Sequence, residues 1–233
     1  LLDVLQRAGV KVLWRDNNSG CKDMCNRVEQ DQSFALNCVA GECQDSALLN
    51  GLRQKILASA QSASPMLVVL HQQGNHGPEY YKRSLKEQKQ FLPECENNLL
   101  VQCQTEQIIN AYDNALLATD ELLDNTIALL QSLSDHYDTS LLYVSDHGES
   151  LGENGIYLHG LPYWMAPEAQ TKVPMLFWLS ESFSQNAKLN RRCLQRKSNL
   201  SHDNIFDTML SLFGVATTAL RPELDLISDC RDS

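Results

Sequence analysis

Four short apolar runs alternate with amphipathic helical patterns along the chain, and this alternation constrains the fold more than any other feature. The runs extend from Val10 to Trp14, Met66 to Leu70, Ser140 to Val144 and Pro174 to Leu179. Each is almost continuously apolar, as expected of a strand that helices cover on both faces, and helices between successive strands favour parallel pairing. We therefore predict an α/β fold with a mostly parallel central sheet flanked by helices.

Two helices are predicted most clearly. One runs from Thr105 to Leu133 with apolar residues three to four positions apart, and a second begins near Ser201 or His202 and ends at Gly214. In the second helix the predicted inward face consists of Ile205, Phe206, Met209, Leu212 and Phe213. The long helix carries acids that resemble a metal cluster but are better interpreted as a solvated face: Asp113, Asp120, Glu121 and Asp124.

Composition narrows the class of protein. The chain has 233 residues, 43% of them hydrophobic, which is enough for one large domain over residues 1–233, favoured here over two small domains. No apolar run approaches the roughly 18 residues of a membrane span, so we expect the chain itself to be soluble. The net charge of −10 argues against a nucleic-acid surface, and the short basic cluster from Arg191 to Lys197 is interpreted as a solvated loop.

Eight cysteines indicate a disulfide framework and hence an oxidising compartment such as a periplasm. Six form neighbouring pairs, and two remain near the end: Cys21 with Cys25, Cys38 with Cys43, Cys95 with Cys103, and then Cys193 and Cys230. The spacing alone leaves the connectivity open. Buried free thiols are the alternative, and a zinc ribbon is less favoured because no Cys-x2-Cys pair occurs.

A charged cluster follows the third strand directly. Residues 141–144, Leu-Leu-Tyr-Val, lead into Ser-Asp-His-Gly-Glu at 145–149. Open α/β sheets bind ligands at the carboxyl ends of their strands, and Asp146 and His147 offer good zinc ligands. Gly148 would let the backbone turn closely around an ion.

Three further histidines lie in Gly-rich loops near strand ends. His71 and His76 belong to His-Gln-Gln-Gly-Asn-His-Gly-Pro at 71–78, and His159 follows His147 by twelve residues. All three could converge with His147 on one site. The alternative is hydrogen bonding within the loops, or, for His71, a supporting or core position.

These motifs resemble the lipid A phosphoethanolamine transferases, which include the mobile colistin-resistance enzymes, within the alkaline phosphatase and sulfatase superfamily. The segments that carry the resemblance are Ser-Asp-His-Gly-Glu-Ser-Leu-Gly-Glu-Asn-Gly at 145–155, Tyr-Leu-His-Gly at 157–160, Leu-Trp-Arg-Asp-Asn-Asn-Ser at 13–19, residues 71–78 and residues 110–120. The resemblance implies an alkaline phosphatase/sulfatase-like sandwich of which this chain is the carboxyl-terminal part.

The resemblance also implies a two-step reaction. A threonine alkoxide takes phosphoethanolamine from phosphatidylethanolamine, and the covalent phospho-threonine then passes it to a lipid A phosphate, which confers polymyxin and colistin resistance. The expected cofactor is zinc, and the expected location is the periplasmic face of the bacterial inner membrane, where an amino-terminal domain absent from this sequence would hold the parent protein.

Residue by residue, the resemblance implies that Asp146 and His147 are zinc ligands. His76 and His159 match histidines that hold the phosphoethanolamine group or a second zinc, with Glu149 beside them. Asn18 and Lys22 match residues that contact the head group, while His71 is the least certain member of the set.

Two features complete the expectation. The resemblance supports Cys38–Cys43 and Cys95–Cys103 as bridges, Cys21–Cys25 would stiffen the loop of Asn18 and Lys22, and Cys193–Cys230 is the least certain pair. No threonine of this chain lies in a motif that matches the nucleophile, so we expect that residue upstream in the parent and no turnover by this chain alone.

Two other functions remain open from sequence. One is a related superfamily enzyme, such as a phosphoglycerol transferase or sulfatase. The other is a non-catalytic remnant that binds phosphoethanolamine head groups.

Overall fold

The structure is a computed structural model that describes residues 1–38, 43–60 and 64–231. Seven strands are present in these residues: β1 (Lys11–Asp16), β2 (Glu29–Gln30), β3 (Met66–His71), β4 (Ser140–Val144), β5 (Ser150–Leu151), β6 (Tyr157–Leu158) and β7 (Met175–Leu179). The α-helices are α1 (Leu2–Arg7), α2 (Leu52–Ser59), α3 (Thr105–Gln131), α4 (Glu168–Thr171), α5 (Glu181–Asn186), α6 (Arg191–Leu194) and α7 (Asp203–Leu212). None of these helices is both long and apolar enough to cross a bilayer.

The predicted strands all form, but they belong to separate sheets. β1 lies between β2 and β3 and pairs with both in parallel, whereas β4 pairs with β7 in antiparallel orientation. β5 and β6 form a short hairpin just after β4. The mostly parallel pairing therefore holds for the first sheet, while a continuous central sheet is not formed within the described residues.

An apolar groove separates β3 from β4. Each strand is paired on one edge only within the described residues, and both are half-buried along their whole length, in contrast to the buried centre of β1. The groove has a volume of about 790 Å³, and its polar end contains Asn18, His71, His76, Asp146 and His147. The two strands thus deliver their carboxyl-terminal loops to the same end of the groove.

Helix α3 ends two residues before the predicted boundary, and its acids lie on an exposed or half-exposed face, as predicted. Helix α7 differs from its prediction. Its most buried residues include polar ones, Asn204, Asp207 and Thr208, because these hold the carboxyl-terminal segment. Asp207 accepts hydrogen bonds from the backbone and guanidinium of Arg221, and Thr208 accepts one from the amide of Leu226. The predicted apolar face is half-buried, and four of its members line the groove: Ile205, Met209, Leu212 and Phe213.

All four expected bridges are present, namely Cys21–Cys25, Cys38–Cys43, Cys95–Cys103 and Cys193–Cys230. The first three join cysteines that are 4, 5 and 8 residues apart in sequence. The last joins α6 to the final described turn, which fixes the carboxyl-terminal segment against the core.

Candidate metal and phosphate site

Three histidines meet beside the end of β4, and each comes from a different loop: His76 follows β3, His147 follows β4 and His159 follows β6. The ring nitrogens that His76, His147 and His159 offer as ligand atoms all lie within 4.8 Å of one another. The rings of His147 and His159 stack with centroids 3.8 Å apart, and the ring of His76 is 5.0 Å from that of His159. The structure therefore brings together the histidines that the sequence placed in separate Gly-rich loops.

The hydrogen bonds of these histidines leave the same nitrogen available on each ring. Nδ1 of His76 lies 2.7 Å from the Gly77 carbonyl, and Nδ1 of His147 lies 3.0 Å from the Gly148 carbonyl. Nδ1 of His159 lies 3.0 Å from a Glu149 carboxylate oxygen. Because these oxygens only accept hydrogen bonds, each Nδ1 carries the proton, and each Nε2 keeps a lone pair for a metal ion.

Asp146 adds a carboxylate to this cluster. Its side chain is 85% exposed, and one oxygen lies 3.8 Å from Nε2 of His147. Ligand atoms on a tetrahedral zinc ion are about 3.3 Å apart, given zinc–nitrogen distances of about 2 Å, so a small movement of either side chain would place both on one ion. The donor set of imidazole nitrogens and a carboxylate suits zinc chemically.

Glu149 supports the histidines from behind. Its side chain is 3% exposed, and its oxygens accept hydrogen bonds from the Gly77 amide and the Tyr80 hydroxyl, each at 3.2 Å, as well as from His159. Burial and the neighbouring Glu149 charge together raise the pKa of Tyr80, so this phenol stays protonated and donates. The carboxylate therefore joins the His76 loop to His159, while its own oxygens point away from solvent.

Gly148 lies where a larger residue would not fit. A Cβ atom at this position would lie 2.0 Å from the carbonyl oxygen of Ala169, and the Gly148 amide donates to the carbonyl of Gln170 at 2.9 Å. The glycine thus permits close packing of the metal loop against the segment around α4.

The second half of the site follows β1 and β3. Asp16 and His71 are paired across β1 and β3. The Asp16 carboxylate accepts hydrogen bonds from His71 Nδ1 at 3.1 Å and from the backbone N–H of Asn18 at 2.8 Å. Burial alone would raise the pKa of Asp16, but the hydrogen bonds from His71, Asn18 and Trp14 outweigh burial and lower it. Asp16 therefore remains ionised and holds both neighbours at the groove.

Asn18 lines the groove, and its side-chain Nδ2 donates to the backbone carbonyl of Gln72 at 3.4 Å. Lys22 is exposed in a left-handed backbone conformation on the loop closed by Cys21–Cys25, and it is not among the residues that line the groove. The structure thus brings Asn18 and His71 to the groove with Asp146, whereas Lys22 stands outside it.

Sequence reasoning missed two supporting residues besides Asp16. Asp45 accepts hydrogen bonds from the amides of Gln73 and Gly74, and Thr119 of α3 donates to Asn75 at 3.0 Å. Both interactions fix the loop before His76. Only Asp16 left a signal, because it ends a predicted strand beside the one that ends at His71; Asp45 and Thr119 are distant in sequence from what they hold.

The sequence and fold of the chain match those of known proteins. The sulfatase family model matches residues 1–215. The chain belongs to the sulfatase family. Its fold is also that of the soluble domain of lipooligosaccharide phosphoethanolamine transferase A from Neisseria meningitidis, with a TM-score of 0.92, 38% identity, and coverage of all of this chain and 71% of that one. The structure of the whole Neisseria protein, described as an integral membrane protein, matches with the same TM-score and identity and is covered to 44%.

Curated relatives bear out the resemblance to phosphoethanolamine transferases. Phosphoethanolamine transferase EptA from Salmonella typhimurium is 47% identical over 99% of this chain and 43% of its own length. The Kdo(2)-lipid A phosphoethanolamine 7''-transferase of the same organism is 31% identical over 75% of this chain and 31% of its own length. The chain thus spans less than half the length of these enzymes, and the sulfatase-like α/β fold expected from sequence is confirmed.

Proposed function

We propose that this chain is part of a zinc-dependent phosphoethanolamine transferase that takes the group from phosphatidylethanolamine and passes it to a lipid A phosphate. The observation that supports it most is the cluster of His76, His147 and His159, each with Nε2 available, beside Asp146. The relatives are named phosphoethanolamine transferases, and this is the basis for proposing phosphoethanolamine as the transferred group.

In this proposal Asp146 and His147 hold zinc, with His76 and His159 close enough to bind the same ion, a second one, or the phosphate oxygens. When bound, zinc would lower the pKa of a hydroxyl nucleophile and offset negative charge on the phosphoryl group. Glu149 fixes the proton of His159 on Nδ1, which leaves Nε2 as the atom that can bind a metal ion.

Asn18 and His71 bind the head group from the other side of the groove in this scheme. Asp16 fixes both, so they meet the phosphate without reorganisation. Lys22, exposed on its bridged loop, supplies a flexible positive charge that steers the phosphate toward Asn18.

We place the nucleophilic threonine in a part of the parent protein outside this sequence. Three of the described threonines make structural hydrogen bonds instead: Thr126 and Thr139 donate to backbone carbonyls of α3, and Thr119 donates to Asn75. The phospho-threonine intermediate, the resulting polymyxin and colistin resistance, and a location at the periplasmic face of the inner membrane belong to the parent protein.

The test uses the full-length parent with phosphatidylethanolamine and lipid A, and mass spectrometry of the lipid A. We expect one phosphoethanolamine added per turnover, loss of the product with a zinc chelator, and loss of it in His147→Ala. The exposed His136→Ala is the matched control and should retain activity. Unmodified lipid A with a phosphoglycerol or sulfate product would refute the proposed activity, and head-group binding without product would identify a non-catalytic binding module.

A further inference from the structure

An exposed apolar tip follows His159 directly. Its members are Leu161, Tyr163, Trp164 and Met165, which are 37%, 84%, 82% and 52% exposed. They lie in the loop that connects β6 to α4. Two neighbouring aromatic side chains at this exposure are unfavourable in water and mark a surface that binds something.

The tip is held in shape by a closed turn. The amides of Met165 and Ala166 both donate to the Pro162 carbonyl, at 2.8 and 2.9 Å, and the Gln170 amide donates to the Pro167 carbonyl at 2.9 Å. The first two bonds close the turn over residues 162–166, and the third closes the first turn of α4. The turn therefore presents the apolar tip as a preformed surface.

The distribution of charged residues indicates what this surface can bind. Residues 154–167 contain no Asp, Glu, Lys or Arg, although the chain carries a net charge of −10. An acidic protein is repelled by an anionic bilayer, so an uncharged stretch is the part that can approach one closely. Trp and Tyr are the side chains that prefer the interface between lipid and water, where the ring is in an apolar layer and its polar atom is hydrated.

We propose that the apolar tip inserts into the interfacial layer of a lipid bilayer. This inference rests on the proposed function for its choice of partner, because a lipid-linked head group must reach the histidines while its acyl chains stay in the membrane. Since His159 is two residues from Leu161 in sequence, insertion of the tip brings the metal and phosphate site to the level of the head groups.

Tryptophan fluorescence tests this directly, because Trp14 is buried, Trp178 is half-buried and only Trp164 of the three is exposed. This chain is mixed with vesicles of phosphatidylethanolamine and phosphatidylglycerol, with and without brominated acyl chains. We expect a blue shift, quenching by the brominated lipid, and partitioning that does not weaken at high salt. The double variant Tyr163→Ser with Trp164→Ser lacks the reporting tryptophan, so its partitioning and that of the parent chain are compared by co-sedimentation with the vesicles. It should partition at least about tenfold less, since binding scales with the apolar area inserted.

Val101→Ser is the control, since Val101 is 72% exposed but lies in the short 3-10 helix Leu100–Gln102, and it should partition like the parent chain. Circular dichroism checks that each variant is folded. Absence of vesicle binding, equal binding by the double variant, lack of quenching, or binding abolished by salt would each overturn the proposal.

A transfer assay on the full-length parent separates this inference from the proposed function. The double variant should keep its rate on a water-soluble short-chain phosphatidylethanolamine and lose most of it on vesicles. Equal rates on vesicles for parent and variant would overturn the role of the tip. Failure of the unaltered parent on both substrates would refute the proposed function, while the vesicle-binding measurement would still decide whether the tip inserts.

Discussion

Glu149 offers the sharpest quantitative test of how the site is supported. In Glu149→Ala two buried donors, the Gly77 amide and the Tyr80 hydroxyl, lose their acceptor, whereas His159 is 30% exposed and can turn to water. Each unsatisfied buried donor costs about 1–3 kcal/mol, so the variant should lose about 2–6 kcal/mol of unfolding free energy. That is a large share of the about 5–15 kcal/mol typical of a folded domain.

Glu149→Gln separates stability from metal binding. Its amide oxygen still accepts from His159 or Gly77, so the loss of unfolding free energy should stay near 1 kcal/mol. The neutral amide no longer gives Nδ1 of His159 a negatively charged acceptor, and zinc affinity should fall about 10-fold to 100-fold. Urea unfolding measures the first quantity and calorimetric zinc titration of the folded chain measures the second.

The matched control is Glu153→Gln, in the turn between β5 and β6, where the exposed carboxylate accepts only from the Leu151 amide among the bonds of the described residues. It should change zinc affinity by less than about twofold. Unfolding of Glu149→Ala at the same urea concentration as the parent, or unchanged zinc affinity in Glu149→Gln, would refute the reasoning.

Three further predictions concern stability. Gly148→Ala should lower the unfolding free energy by at least about 1–3 kcal/mol in urea titrations, because its Cβ meets the Ala169 carbonyl at 2.0 Å; an unchanged midpoint would contradict this close packing. Arg15→Met should lower the unfolding free energy by about 3–5 kcal/mol by leaving the buried Asp31 carboxylate without its guanidinium, whereas Arg27→Met, in an exposed pair, should leave the urea midpoint nearly unchanged; equal losses would refute the contrast. Ser33 and Arg15 outweigh burial and lower the pKa of Asp31, and hydrogen bonds likewise lower that of Asp16, so the unfolded chain binds more protons. Thermal unfolding should therefore show stability present above about pH 3.9 and lost as the pH falls below it; a constant melting temperature from pH 5 to pH 2 would disprove this.

The strands were predictable because apolar runs of this length have few other uses. β4 has the predicted bounds, and β3 extends by one residue to include His71. The pairing of the strands was harder to predict from sequence. The antiparallel pairing of β4 with β7 depends on the path of the chain between them, which local sequence does not encode. The polar buried face of α7 was missed for a similar reason, since Asp207 is buried by its bond to Arg221, fourteen residues away.

The candidate site was also predictable only in part. His76, His147 and His159 could be selected by residue type and by their place after strands, and the structure shows them together. The orientation of their rings could not be predicted from residue type, because it depends on the backbone carbonyl groups and the buried Glu149 carboxylate that each Nδ1 contacts. The resemblance placed Glu149 beside the residues that bind substrate or a second metal, whereas its burial assigns it to positioning His159 in our proposal.

The central claim is that Nε2 of His147 and the Asp146 carboxylate hold zinc beside His76 and His159. Diffraction from crystals of this chain grown with zinc, recorded on both sides of the zinc absorption edge, tests it most directly. The account predicts an anomalous peak about 2 Å from Nε2 of His147 and from an Asp146 oxygen, with each Nδ1 still on its present acceptor. A peak elsewhere in the chain, or coordination through Nδ1 of these histidines, would contradict it.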